Sequence, residues 1–116
     1  MNKKEERDKI MIILKEQLDY FSEPPESTYR KATVEHCISV IEHNEELCLK
    51  ECKEHETTSK LILELYPDVD YDRLCDTSKM LRVTATQIEF DEEYKQNKEM
   101  QRYVEKMVKS YFNEDG

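Results

Sequence analysis

The chain has 116 residues, of which 39% are charged and 37% hydrophobic, and it carries a formal net charge of −9. That length suits one domain, and the acid excess works against non-specific binding to nucleic acid or to an anionic membrane, both polyanions. A single glycine and three prolines supply too few turn formers for an all-β fold, whereas periodic runs of Glu, Lys, Leu and Ile favour long helices.

The first predicted helix runs from Asn2 to Phe21. Ile10, Ile13, Leu14, Leu18 and Phe21 form its apolar face, with Gln17 among them. Asn2 suits an N-cap, and Glu5 and Glu6 suit the positive end of the helix dipole. Phe21 to Glu26 is a short linker containing Pro24-Pro25, so the first two helices are expected to be antiparallel neighbours.

The stretch from Ser27 to Tyr66 reads as one long helix, or two end to end, capped by Ser27 or Thr28 and stopped by Pro67. Val34, Cys37, Ile38, Ile41, Cys48, Cys52, His55, Ser59, Leu63 and Tyr66 follow one helical stripe. His36, Val40, His43, Leu47, Leu61 and Leu65 follow a second, which predicts a central helix with neighbours on both flanks. Thr57-Thr58-Ser59 is the expected place for a kink.

Beyond Pro67, Asp68 or Asp70 is expected to cap a helix near Asp70–Glu89, with a stripe of Leu74, Thr77, Ser78, Leu81, Ala85 and Ile88. The apolar pattern then rotates to Met100, Val104, Met107 and Tyr111. Asp91, followed by Glu92 and Glu93, looks like a new N-cap, so the last helix is expected near Asp91–Phe112, the competing view being one long kinked helix. Asn113 to Gly116 should fray.

Several residue groups have the chemistry of a site. Cys48, Cys52 and His55 fall one turn apart in succession and could offer two thiolates and an imidazole to zinc, with a fourth ligand from Cys37, Cys75 or another histidine. Against this, structural zinc sites use paired ligands on short turns, and these residues also continue the core stripe. His36 and His43 lack the Glu three residues earlier that di-iron bundles use, and fit core-edge positions. Asp68, Asp70 and Asp72 open like a calcium loop, but Arg73 and Lys79 stand where that loop needs Gly and Glu. Lys95, Lys98, Arg102, Lys106 and Lys109 form a basic face diluted by Glu99 and Glu105. Glu35, Glu42 and Glu46 form an acidic one, of the kind a nucleic-acid mimic would use.

Met1 to Lys9 is charged and Ile10 to Leu14 is too short for a signal core or a membrane span. Asn2 and the C-terminal residues do not fit lipidation patterns. The expectation is a reduced, cytoplasmic protein whose cysteines act as small apolar residues. No phosphate loop and no nucleophile in a recognisable motif is present, so neither an enzyme nor a cofactor is expected.

The sequence therefore predicts a single all-α domain over residues 1–116, an up-and-down bundle of three or four helices with a long central helix. Its expected role is a small acidic protein-binding module: a regulator, inhibitor or adaptor, with self-association into a homodimer as a further expectation. The expected contact residues are Met100, Tyr103, Val104, Met107 and Tyr111 on the last helix and Glu35, Glu42 and Glu46 on the acidic face. The alternatives are a zinc bundle on Cys48, Cys52 and His55, and an acidic nucleic-acid mimic or weak nucleic-acid binder using the basic face.

Overall fold

The apolar periodicity of this chain is helical, and helical is how it folds. The computed structural model describes residues 1–20 and 28–112; the predicted Phe21 face position, the linker, the Ser27 cap and the tail lie outside them. Within the described residues there are six helices and no strand: α1 (Lys3–Tyr20), α2 (Thr28–Glu42), α3 (Leu49–Lys53), α4 (His55–Leu65), α5 (Tyr71–Gln96) and α6 (Lys98–Phe112). None is long and apolar enough to cross a membrane.

Asn2 caps α1 as its side-chain chemistry dictates. Its Oδ1 accepts the Glu5 amide at 2.9 Å, and its Nδ2 donates back to the Glu5 carboxylate at 3.1 Å. Asp70 caps α5, accepting from the Asp72 and Arg73 amides at 2.9 and 3.3 Å. Leu65 is the last residue of α4, two before Pro67, with Tyr66 at the cap.

The middle stretch departs from the expected long helix, because it is divided into α2, α3 and α4. The first break is at Asn44, whose Oδ1 accepts the Glu46 amide at 3.0 Å in a local turn that competes with helix continuation. Leu47, Cys48 and Leu49 are then buried in succession, a placement one face of a continuous helix does not allow. The second break is at Glu54, not at Thr57–Ser59. Thr58 secures it: its buried hydroxyl reaches the carbonyls of Glu51 at 2.5 Å and Glu54 at 3.1 Å. The N-terminus of α3 has no side-chain cap of its own; Glu6 of α1 accepts the Leu49 amide at 3.1 Å instead.

The long helix at the centre is α5. It packs against every other helix, whereas α2 packs against α1, α4 and α5. Leu74, Thr77, Ser78, Leu81, Thr84, Ala85 and Ile88 are its buried residues. Of these, Leu74, Leu81, Ala85 and Ile88 join Ile10 and Leu14 of α1, Val34, Cys37, Val40 and Ile41 of α2, and Leu47, Leu49, Cys52 and Ile62 in one apolar cluster. Lys9 of α1 pairs with Glu92, and Lys53 of α3 with Glu89 at 2.5 Å, so surface ion pairs also converge on α5. The predicted helix start at Asp91 is not observed; Asp91 lies inside α5, which runs on to Gln96.

Candidate functional site

The features of α6 follow from its sequence and from the joint that carries it. Asn97 interrupts the helix with an extended backbone, and its Oδ1 accepts the Met100 amide at 3.0 Å, capping the new helix. Gln101 turns back to donate to the carbonyls of Tyr94 at 2.7 Å and Lys95 at 3.1 Å, satisfying the end of α5. Both sides of the break are thus closed by side chains.

Beyond this joint α6 packs against no described element except α5, and none of its residues is buried. The radius of gyration is 16.9 Å and the extents are 57 × 36 × 21 Å, against about 13 Å for the radius of a compact domain of this length. The helix is an arm. Tyr103 is 65% exposed, Met107 54%, Val108 49% and Tyr111 83%. Met100 and Val104 are half-buried. Tyr111 and Phe112 meet edge to face at 4.9 Å between ring centres.

The charges of α6 are segregated. Lys98, Glu99, Arg102, Glu105, Lys106 and Lys109 fall together on one side at 3.6 residues per turn, and the opposite side carries no charge. The sequence expectation for Met100, Tyr103, Val104, Met107 and Tyr111 thus lands on one continuous face, to which Val108 and Phe112 also belong. Their periodic spacing was the available signal for both.

The acidic residues are placed elsewhere. Glu35 and Glu42 are exposed on α2, and Glu46 lies in the following loop. The Lys3 ammonium at 2.7 Å holds the Glu46 carboxyl below its ordinary range, and Glu46 in turn raises Lys3. Because α2 and α6 do not pack together, the two expected contact surfaces are separate.

The residues of the zinc alternative are not brought together. Cys48 and Cys52 are buried, one turn apart around α3, while His55 is exposed beyond the Glu54 break. Among the described residues no group of three His, Cys, Asp or Glu is arranged to hold a metal ion. Burial, with Cys48, Glu51 and Glu6 nearby, pushes the Cys52 thiol up to about 12, and burial pushes Cys37 higher still. At neutral pH both are protonated thiols, and a protonated thiol is a poor nucleophile. Asp70 of the calcium-like run spends its carboxylate on the α5 cap.

A groove of about 590 Å³ between α1, α2 and α5 had no counterpart in the sequence reading, because its walls are far apart in the chain. Tyr20, Tyr29, Asp76, Lys79 and Val83 line it, and Arg73 lies 5.3 Å from the centre of the Tyr29 ring. Partial burial, then a hydrogen bond with Asp76, raises the Tyr29 phenol.

No family model, curated protein or solved structure matches this chain.

Proposed function

We propose that this chain is a protein-contact module, acting as a regulator, inhibitor or adaptor through the uncharged face of α6. One observation carries this: a helix of 15 residues holds its apolar side chains on one face and buries none of them. An isolated helix of that length is marginal in water, and most helical stability in proteins comes from covering such a face. Monomeric soluble proteins seldom leave a contiguous apolar patch of this kind without a binding role. In this reading α1, α2, α4 and α5 are an up-and-down bundle that carries the arm, and Glu35, Glu42 and Glu46 are a second surface suited to basic partners. Four free cysteines, three of them buried, support a reducing, cytoplasmic setting.

The test is capture from the native cell extract with the intact chain and with a Met107→Glu, Tyr111→Glu double variant. Circular dichroism confirms that each is folded. The expected result is a set of bound proteins retained by the first and lost by the second. Equal capture by both would remove α6 as the contact surface.

A further inference from the structure

Resting on the assignment of α6 as a contact surface, we infer that its occupant is the α6 arm of a second copy of this chain, laid antiparallel. The spacing of Met100, Val104, Met107 and Tyr111 is four, three, four, the interval of a coiled-coil seam. The seam's immediate neighbours are Gln101, Tyr103, Val108 and Ser110, all uncharged. Two such arms therefore meet without burying a charge and without like charges along their flanks.

The register follows from the same four residues. Set antiparallel, Met100 meets Tyr111 of the second copy and Val104 meets Met107 of the second copy. The two-fold axis repeats both layers, so all four seam residues of each arm are matched in one alignment. This is an isologous contact, closed at two copies.

Area and charge agree with it. With an aromatic ring worth about 150–250 Å² of surface, the exposed Tyr103, Met107, Val108 and Tyr111, together with half-buried Met100 and Val104, offer roughly 500 Å² per copy, or roughly 1,000 Å² in the pair. That lies at the threshold for a specific interface. Fifteen residues of helix span about 22 Å. Antiparallel arms hold the two acidic bodies at opposite ends, beyond a Debye length of about 8 Å at physiological salt. A parallel pair would set the two bodies side by side and align the helix dipoles unfavourably.

An anionic lipid surface is the competing occupant, since α6 is basic and amphipathic. Its cations are placed badly for that. Arg102 and Lys109 stand opposite the seam, where they would face water, and the flanks at headgroup level are uncharged. The acidic body adds repulsion.

Sedimentation equilibrium of the full chain at micromolar to hundred-micromolar concentration tests the pairing. The expected mass rises to twice that of the chain, and Met107→Glu with Tyr111→Glu returns it to one. Orientation is read by oxidising Met100→Cys and Tyr111→Cys chains, each also carrying Cys75→Ser. Mixed, they are expected to form a disulfide-linked pair; each alone, none. Homodisulfides of each chain, with no disulfide joining the two different chains in the mixture, overturn the antiparallel arrangement. A monomer at every concentration overturns the self-pairing, and arm-dependent capture of other proteins then still upholds α6 as a contact surface. A dimer that survives the double Glu variant overturns self-pairing through α6. A chain that stays monomeric yet sediments with anionic vesicles assigns the arm to lipid instead.

Discussion

Thr77 is fully buried in α5, and its hydroxyl has no hydrogen-bond partner among the described residues, although its carbonyl accepts the Cys37 thiol at 3.7 Å. A buried hydroxyl left unpaired carries a desolvation cost of about 1–3 kcal/mol, and valine has the same branched shape and a similar helix propensity. Thr77→Val should therefore stabilise the protein by about 1 kcal/mol, read as a higher urea midpoint at unchanged slope. A lower midpoint would mean that the hydroxyl is satisfied in solution. His36 carries a pH effect of defined sign. Its ring lies 5.2 Å from that of Tyr66, and burial first, then Arg73, lowers its pKa below the ordinary 6.5, with Glu35 opposing. The unfolded chain thus takes up the proton at a higher pH than the folded one. Stability should be full above about pH 6.5, decline below it, and level off once pH falls through the depressed folded value. Thermal unfolding from pH 7.5 to 5.5 should show this slope in the native protein and a flatter one in His36→Phe. The Glu46 and Glu92 ion pairs do not interfere, since both carboxyls titrate below their ordinary 4.5.

At the scale of the element, what the sequence made legible was whatever local chemistry decides. Asn2 and Asp70 cap because each places a side-chain oxygen against free amides nearby; Asn2 was readable outright, and Asp70 as one of two candidates with Asp68. The α5 stripe from Leu74 to Ile88 was readable because one period runs unbroken through it. The breaks were harder. Asn44 ends α2 through a local turn whose signal was present in the residue itself, but the apolar stripes continue across it and mask the stop. The start of α3 was not legible at all, because its cap is Glu6, 43 residues earlier in the chain. Asn97 gave way in expectation to Asp91, whose acidic neighbours mimic a first turn. The ion pair from Glu92 to Lys9 and the burial of Ile88 instead keep that segment on the body as part of α5. The α6 face was legible because the charge segregation that defines it is periodic, whereas the break at Glu54, which sets exposed His55 apart from buried Cys48 and Cys52, was masked by the continuing stripe.

For the whole molecule, the division into body and arm sets two different sources of stability. The body is held by a single apolar cluster centred on α5, so its protection depends on global unfolding and not on concentration. No residue of the arm is fully buried within the described residues, and its helix is short enough to open alone. If a second copy covers the seam, mass action stabilises α6 in proportion to the logarithm of protein concentration, and leaves the body's core unaffected except through dimer formation itself. Native-state hydrogen exchange should then show the amides around Leu81 protected at every concentration. Those of Val104 to Ser110 should exchange fast in dilute protein and slow progressively as concentration rises. The Met107→Glu, Tyr111→Glu variant should keep fast exchange in the arm at all concentrations while its body matches the native protein. Protection in α6 as strong as that around Leu81 in dilute protein would place the arm against the body of its own chain, and both the free face and its self-pairing would have to be abandoned.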